Sequence, residues 1–462
     1  MDDTNRHLSE QEIISITQSC LHKTFGQLGF QDVNKAHKGG LGNFVEENVF
    51  KYKANNDDNP DFIDAGIELK VTPVKSDSKG NITSKERLVL NMIDYFAEDN
   101  TTFETSSFYR KNKRLLVWFY QYIKGISQAN FEITAWDLFE FENSLEYKVI
   151  KRDWEIIHNK IVNGKAHEIS ESDTTFLAAC TKGADSSITR KQPHSEILAK
   201  PRAYSFKNSF MTRLYREAIH KLAPYVSFVS EDEWMKNPLE EIYKDKLSQY
   251  HGMSILDLKH KFYIRSKAKQ LPFLIAQKML GLSGKESSTL EMLDAGIKLK
   301  IVRLKTNGKP HESMSFPAFD FVELINTSWE QSDIREEFVD WKLMFFVFQD
   351  DENGICRFDR VQFWNIPNSI VDGEIKAMYE QCADLIKSGT ALTYNDKGQI
   401  VDKFAKESRN GNGVCHVRPH GRNKKDTFDL PVKDIETGLT KYTKQSFWFN
   451  SNFIKNILKN ND

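Results

Sequence analysis

The sequence DFIDAGIELKVTPV, residues 61–74, is the part of this 462-residue chain that predicts its fold. It follows Pro60 and carries an apolar, β-branched-rich run that ends at Pro73, which predicts a short buried strand with a turn on each side. Glu68 and Lys70 are two residues apart, so they point to the same face of that strand. Ile67 and Leu69 point to the opposite face, which we expect to be core. The strand therefore has one apolar face and one charged face.

The charged face is suited to a divalent metal ion. Asp61 and Glu68 offer carboxylates and the backbone carbonyl of Leu69 offers a third oxygen, the ligand type that Mg²⁺ prefers. Such an ion lowers the pKa of a nearby water and offsets the negative charge that develops in phosphodiester hydrolysis. Lys70 would orient or deprotonate the attacking water, or stabilise the developing charge. The same spacing should arise by chance in roughly one chain in five of this size, and an edge strand with a solvated charged face is the alternative.

Four ordered blocks of sequence are more specific than the acidic motif. They read GLGNFVEE (residues 40–47), DFIDAGIELKVTPV (61–74), SKERLVLNMI (84–93) and ETSSFYRK (104–111). In this order they resemble the MutH family, in particular its two-halved restriction endonucleases that cut at GATC. The resemblance continues through CTKGA (180–184) to AYSFKNSFMT (203–212) and covers the whole first half. It implies an α/β (α+β) fold of two tandem restriction-endonuclease-like modules, each a mixed β-sheet flanked by helices.

The resemblance also implies roles for individual charged residues. Asp61 and Glu68 match the family's metal ligands, and Lys70 matches its catalytic lysine. Glu46 matches a glutamate that helps to bind the metal, and Lys111 matches a lysine near the scissile phosphate. The last two have ordinary alternatives, because Glu46 can be a surface glutamate of a helix and Lys111 can belong to a surface basic cluster.

A further set of residues matches the family's DNA contacts. Lys182 and Gly183 fall where relatives read base edges in the major groove. A lysine can donate to guanine, and a glycine lets the backbone come close. An ordinary turn is the alternative. Lys207 matches a phosphate-contacting lysine. Ser205 stands where the hemimethylation-sensing repair relative has a tyrosine, so the same reading of adenine methylation is not implied.

The chain contains an internal repeat. LDAGIKLKIVRL, residues 293–304, copies IDAGIELKVTPV, residues 63–74, at a constant offset. The copy carries Glu291, Lys298 and Lys300 at the positions of the three charged residues of the first motif. One glutamate and two lysines cannot hold a divalent cation, because like charges would surround the ion. We therefore predict a duplicated module that has lost its metal site.

Two domains follow from the repeat. Residues 1–228 are predicted to be the catalytic endonuclease domain, and residues 229–462 a degenerate DNA-binding and effector domain. In the second half CHVRPHGRNKK, residues 415–425, takes the place of the base-reading segment. Arg418 and His420 are its candidate base or phosphate contacts, since arginine can grip guanine at two points. A solvated basic loop is the alternative.

Local signals predict several elements. The capping box in residues 9–12 predicts a helix that continues to about Leu28. Residues 113–123, rich in aromatics, predict a strand through the centre of a sheet. Residues 104–114 are expected to form a basic loop, and residues 149–163 an amphipathic helix.

Composition excludes several classes of protein. The formal net charge is −1, so any basic footprint for DNA must be local. The five cysteines contain no CxxC pair, which argues against a zinc site or a disulfide framework and fits a reducing cytoplasm. No apolar run reaches membrane-spanning length, so no membrane association is expected.

The resemblance implies a type II restriction endonuclease. It would hydrolyse double-stranded DNA at GATC with Mg²⁺, cutting before the G to leave 5′-phosphate ends. It would bind two sites per active complex, as a monomer in solution that can dimerise on DNA, with a cognate methyltransferase as functional partner. One alternative is a repair enzyme that nicks hemimethylated GATC, although that relative has a single module. The other is a DNA-binding regulator without catalysis.

Overall fold

The computed structural model describes the chain in segments, and these form two compact units. The described residues are 6–31, 40–53, 59–76, 80–141, 145–182, 188–220, 226–265, 270–283, 286, 288–407 and 411–459. The first unit comprises Met1–Lys236 with Leu290–Gly296, and the second comprises Asn237–Thr289 with Ile297–Asp462. The boundary after residue 228 stays a prediction.

Both units contain strands and helices. The strands are β1 (Glu68–Ser76), β2 (Ile82–Ser84), β3 (Leu88–Met92), β4 (Arg114–Gln121), β5 (Ile133–Glu140), β6 (Leu177–Thr181), β7 (Arg190–Gln192), β8 (Ser195–Ala199), β9 (Arg202–Phe206), β10 (Ile297–Leu304), β11 (Met314–Phe319), β12 (Lys342–Asp350), β13 (Cys356–Asn365), β14 (Leu392–Tyr394), β15 (Ile400–Asp402), β16 (Cys415–Pro419), β17 (Thr427–Asp429), β18 (Lys441–Thr443) and β19 (Gln445–Phe449). The α-helices are α1 (Glu10–Cys20), α2 (Gly40–Phe44), α3 (Tyr95–Glu98), α4 (Ser107–Asn112), α5 (Leu145–Val162), α6 (Asn208–Ala218), α7 (Glu231–Lys236), α8 (Leu239–Ser248), α9 (Ile255–Lys261), α10 (Leu271–Met279), α11 (Leu290–Asp294), α12 (Phe321–Asn326), α13 (Asp333–Asp340), α14 (Asn368–Ile370), α15 (Lys376–Lys387) and α16 (Ser451–Lys459). Strands β1–β9 and helices α1–α7 and α11 belong to the first unit, and the other elements to the second.

The main sheet of the first unit has the strand order β2–β1–β4–β5. β1 runs parallel to β4, with Glu68 opposite Leu115, and β5 pairs with β4 in the antiparallel sense. Residues 115–119 are fully buried, as expected for a strand paired on both edges and covered on both faces. The strand predicted in residues 113–123 is confirmed, with β4 spanning Arg114–Gln121 at the centre of the sheet.

A second, antiparallel sheet of the first unit has the order β3–β9–β6. The start of strand β6 in this sheet is anchored by Asp153 of α5. The Asp153 carboxylate accepts hydrogen bonds from three successive backbone amides there. The donors are the nitrogens of Thr175, Phe176 and Leu177, at 2.8, 2.6 and 2.9 Å. Two of the residues predicted to contact DNA, Lys182 and Lys207, directly follow strands β6 and β9 of this sheet.

The second unit repeats both arrangements. β10 runs parallel to β12, and β12 is antiparallel to β13, as β1, β4 and β5 are in the first unit. β11, β19 and β16 form a separate antiparallel sheet, as β3, β9 and β6 do. The predicted α/β (α+β) fold of mixed sheets flanked by helices is confirmed, and the duplication seen in sequence recurs in the strand pairing.

Helix α5 confirms the amphipathic helix predicted in residues 149–163. It ends before Gly164, which adopts a left-handed φ of 68°. A Cβ on that glycine would lie 2.6 Å from the carbonyl oxygen of His194, so only glycine fits there. Among the described residues, no helix is both long enough and apolar enough to cross a membrane.

Three predicted elements differ from the structure. The strand predicted within residues 61–74 begins only at Glu68 and continues past Pro73 to Ser76, because residues 62–67 form a turn. The capping box of α1 is present at Ser9, but the helix ends at Cys20 and not near Leu28. The chain beyond it bonds to the strand region near β5, where the amide of His22 donates to the carbonyl of Ile133 at 2.9 Å. The expected basic loop of residues 104–114 contains helix α4, which the Ser106 hydroxyl caps by accepting from Tyr109 N at 3.1 Å.

Candidate active site

A tight turn before β1 brings the two acidic residues together. The amide of Phe62 donates to the carbonyl of Ile67 at 2.9 Å, and the amide of Ile67 returns a hydrogen bond at 3.2 Å. Gly66 closes the turn with a φ of +63°, a conformation that favours glycine. Asp61 and Glu68 therefore stand side by side, at the start of the central sheet.

The two acidic residues are held by the backbone around them. The amide of Leu69 donates to Asp61 Oδ2 at 2.9 Å, and the amide of Asp61 donates to Glu68 Oε2 at 3.2 Å. Arg6 fixes the turn from outside, because its Nε donates to the Asp61 carbonyl and its terminal nitrogen to the Pro60 carbonyl, both at 3.1 Å. The sequence offers no local signal for Arg6, which lies 55 residues from Asp61.

Two lysines converge on the Glu68 carboxylate. Lys70 Nζ donates to Glu68 Oε1 at 2.6 Å, from the same face of β1. Lys111 lies in the last turn of α4, and its Nζ is 3.8 Å from the same oxygen. The structure thus places both predicted lysines beside the predicted metal ligands, although they are 41 residues apart in sequence (111 − 70).

Glu46 lies in the π-helical turn Val45–Val49 that follows α2. Such turns insert one residue into a helix and often occur at functional sites. Burial raises the pKa of Glu46 to about 7; Glu68 also raises it, whereas the ammonium groups of Lys70 and Lys111 lower it. The electrostatic coupling places Glu46 in the neighbourhood of the acidic pair.

The cluster is short of positive charge. Asp61 is 7% exposed and Glu68 2% exposed. Burial raises the pKa of Asp61 to about 8, with Glu68 acting in the same direction and Lys70 opposing both. For Lys70, burial lowers the pKa, but Glu68 and Asp61 together outweigh it, so the net shift is upward. Two desolvated carboxylates therefore share one close ammonium, and a divalent cation would supply the charge they lack.

The residues present fit a hard cation with few protein ligands. Among the described residues, no group of three or more His, Cys, Asp and Glu side chains is placed to hold a metal ion. A cation here would take the carboxylates of Asp61 and Glu68, with its other oxygens from the backbone, such as the Leu69 carbonyl, or from water. Mg²⁺ commonly keeps several waters and binds proteins through one or two carboxylates.

Tyr52 is a neighbour of this site that sequence reasoning missed. Its side chain is fully buried, and its hydroxyl has no hydrogen-bond partner within the part of the chain that the structure describes. Burial raises its pKa, as do the charges of Asp61, Glu46 and Glu68. No motif in the sequence singles out this tyrosine.

The residues of the first unit that were predicted to contact DNA differ in their burial. Lys182 follows β6, half-buried, and its amide donates to the Pro201 carbonyl at 2.7 Å. Gly183 lies outside the described residues. Lys207 is only 1% exposed, and its Nζ donates to the Thr174 carbonyl at 2.7 Å. In this arrangement the Lys207 ammonium supports the fold and does not face solvent, where a phosphate would approach.

In the second unit Arg418 and His420 are exposed at the end of β16. The guanidinium carbon of Arg418 lies 4.7 Å from the centre of the Trp448 indole, a cation–π distance. The His420 ring meets the same indole edge-on at 5.6 Å. The side chains of Arg418 and His420 therefore both pack against the Trp448 indole.

The counterparts of the catalytic residues have lost the acidic pair. Glu291 belongs to the first unit, where it accepts hydrogen bonds from the Ser227 hydroxyl and from the amide of Phe228 at 3.3 Å. Lys298 and Lys300 belong to the second unit, side by side on one face of β10. The second unit therefore carries lysines where the first has Glu68 and Lys70.

The first unit contains a MutH-like nuclease domain. The family described as DNA mismatch repair enzyme MutH matches residues 50–153, which include four of the clustered residues but not Glu46. The DNA mismatch repair protein MutH of Buchnera aphidicola subsp. Baizongia pistaciae (strain Bp) is 27% identical over 157 residues, covering 32% of this chain and 68% of that protein.

A second relative matches both units. The type II restriction enzyme Sau3AI of Staphylococcus aureus is 35% identical over 482 aligned positions, which cover 97% of this chain and 98% of that enzyme. The chain belongs to the family of type II restriction enzymes that includes Sau3AI, and it is a site-specific deoxyribonuclease.

Proposed function

We propose that this enzyme cuts double-stranded DNA at GATC, before the G, in a Mg²⁺-dependent reaction at the Asp61–Glu68–Lys70 centre. The observation that carries the proposal is the hydrogen bond of 2.6 Å between Lys70 Nζ and Glu68 Oε1, beside a second buried carboxylate. The GATC target rests on the MutH-family sequence blocks. Its cellular setting would be the cytoplasm, with a methyltransferase protecting host sites.

In the proposed reaction, water attacks the phosphorus in line with the departing 3′ oxygen. The bond to that oxygen breaks, leaving a 5′-phosphate and a 3′-hydroxyl. Asp61 and Glu68 would hold the cation, which would supply charge stabilisation and lower the pKa of a nearby water. Lys70 orients the attacking water and donates to the developing charge, while Lys111 offers a second ammonium to the non-bridging oxygens. Glu46, with a pKa of about 7, can hold a proton near neutral pH.

The second unit is proposed to bind a second DNA site without cutting it. It carries Lys298 and Lys300 where the first unit has Glu68 and Lys70, and Arg418 and His420 offer an exposed basic and aromatic surface. A palindrome needs two strand cuts, and each chain of this proposal has one catalytic centre. A chain that is monomeric in solution would therefore pair on DNA, or act twice.

A plasmid digestion with Mg²⁺ tests the proposal. The comparison is wild type, Glu68→Ala and the exposed control Glu196→Ala. We expect double-strand cuts by wild type and control, loss of cutting in Glu68→Ala and in EDTA, and GATC at every sequenced end. Nicks only would favour a repair enzyme, and no cutting by any protein would favour a regulator. Equal cutting by Glu68→Ala would place the chemistry elsewhere.

A further inference from the structure

The strand pairing keeps Lys298 and Lys300 in the structural position of the catalytic strand. Glu68 of β1 is opposite Leu115 of β4, and Lys298 of β10 is opposite Leu343 of β12, in parallel pairs of the same kind. Residues two apart on a strand share one face. The two ammonium groups therefore occupy, in the second unit, the face on which the first unit gathers its charged cluster.

Both ammonium groups are positioned by aromatic rings. Lys300 Nζ donates to the Ser315 carbonyl at 2.6 Å and lies 4.6 Å from the centre of the Phe316 ring. Lys298 Nζ lies 5.5 Å from the centre of the Trp341 ring. The two rings lie nearly parallel, 20° apart with centres separated by 6.1 Å. This paired support holds two positive charges on one side of β10.

At Lys298, the effect of burial on the pKa outweighs that of the acidic neighbour Glu337. Within the described part of the chain, no carboxylate forms an ion pair with Lys298 or Lys300. Burial lowers the pKa of Lys298, with only a partial opposing effect from Glu337, and burial lowers that of Lys300 to about 8. In the first unit the carboxylates raise the pKa of Lys70. The second unit thus has half-buried ammonium groups that an anion would stabilise.

We infer that Lys298 and Lys300 hold a backbone phosphate of DNA, directly and without a metal ion, on the face where the first unit has its catalytic cluster. The inference rests on the proposed DNA-binding role of the second unit. In the first unit, the buried carboxylates repel a phosphate unless a cation intervenes. In the second, two ammonium groups meet the phosphate themselves, in the manner of the lysine contacts that position proteins on DNA.

Amine labelling of the full-length wild-type protein in EDTA tests this without any substitution. The probe is a short GATC-containing duplex, and the readout is mass spectrometry of labelled lysines with and without DNA. We expect the duplex to reduce labelling of Lys298 and Lys300 several-fold, and to leave the exposed control lysines Lys305 and Lys309 unchanged. Unchanged labelling of the first pair would overturn the inference.

Salt dependence gives a second, quantitative test. Each phosphate contact changes the slope of log affinity against log salt by about 1. Replacing both Lys298 and Lys300 by Gln should lower that slope by about 1 in EDTA, because they share one phosphate, and replacing both by Arg should restore it. The same double Gln change at Lys305 and Lys309 should leave it unchanged. Thermal melting checks that each variant is folded.

Arg418→Ala separates this inference from the proposed function. If Arg418→Ala lowers the slope and the Lys298 and Lys300 variant does not, the second unit binds DNA by another surface and the inference fails alone. If neither Arg418→Ala nor the Lys298 and Lys300 variant changes the slope, both the inference and the proposed DNA binding by the second unit are wrong. A lowered slope in the lysine variant supports the inference whatever the cutting assay shows, because no cleavage occurs in EDTA.

Discussion

Lys70 Nζ donates to Glu68 Oε1 at 2.6 Å, on the charged face of the strand that enters the central sheet. Because Glu68 is almost fully buried, this ammonium is its close counter-charge, and Lys111 at 3.8 Å is a weaker one. The Lys70–Glu68 pair therefore stabilises the fold by compensating a buried charge, and in the proposed reaction it also takes part in cleavage. Substitutions can separate these two roles.

Lys70→Gln should abolish most DNA cleavage while the protein still folds. Loss of a positioned acid–base or electrostatic group typically costs 10²- to 10⁴-fold in rate, and the glutamine can still donate a hydrogen bond to Glu68. The measurement is single-turnover cleavage of a GATC duplex, with thermal melting as the check of folding. Lys191→Gln, an exposed lysine of the same unit, is the control. Cleavage within a factor of about three of wild type would remove Lys70 from the mechanism.

The stability of the metal-free protein should fall as pH rises from about 4 to about 8. The folded pKa of Asp61 is raised to about 8, so over this interval the folded state binds more protons than the unfolded state. Stability then decreases with pH and levels off above the folded pKa. Asp61→Asn should remove a difference on the order of a few kcal/mol between the two ends of the range.

The check of that pH dependence is urea unfolding in EDTA at several pH values. Asp232→Asn, an exposed aspartate, should leave the profile as in wild type. Mg²⁺ should stabilise wild type more at pH 8 than at pH 6, because the ionised carboxyl binds the cation, and this difference should vanish in Asp61→Asn. A flat wild-type profile would contradict the raised pKa.

Tyr52→Phe should leave the stability of the metal-free protein unchanged or raise it by about 1 kcal/mol. A buried hydroxyl without a partner is a cost to folding, and removing it at constant shape relieves that cost. Tyr379→Phe is the matched control. Its hydroxyl donates to the carbonyls of Leu324 and Thr327 at 3.0 and 2.9 Å, so its loss should destabilise by about 1–2 kcal/mol. Equal destabilisation by both substitutions would show that Tyr52 has a bonded partner.

Lys207→Met should reduce stability without changing the salt dependence of DNA binding. The buried ammonium donates to the Thr174 carbonyl and opposes the burial that raises the pKa of Asp153, the residue that anchors the start of β6. Breaking such a buried charge arrangement costs about 3–5 kcal/mol. Urea unfolding measures the first effect and fluorescence anisotropy at several salt concentrations the second. If the slope falls by about 1 and stability is unchanged, Lys207 is the phosphate contact that the family pattern predicts.

Local sequence patterns predicted the elements whose cause is local. The Ser9 capping box starts α1, the two-residue spacing puts Glu68 and Lys70 on one face, and the apolar run of residues 115–119 lies at the sheet centre. What the patterns missed depends on distant partners. Helix α1 stops at Cys20 because the following backbone bonds to the region of β5.

The burial and hydrogen-bond partners of side chains outside the motif could likewise not be predicted from the sequence. A lysine near a helix start, such as Lys207, looks the same in sequence whether it faces solvent or a buried carbonyl. Tyr52 belongs to no motif, yet the pKa of its hydroxyl is raised by burial and by three carboxylates. The family blocks supplied the identity of the charged cluster, and only the folded chain could supply its distances.

The matched pairing of β1 with β4 and of β10 with β12 has an evolutionary consequence. Both copies keep the same strand pairing, so in the proposed function a cutting and a non-cutting module differ in the identity of a few side chains. Codons for lysine and glutamate differ at one nucleotide, which makes position 298 a single mutation away from regaining an acidic group. If the second copy does not cut, as proposed, its strand scaffold has outlasted the acidic side chain that the chemistry requires.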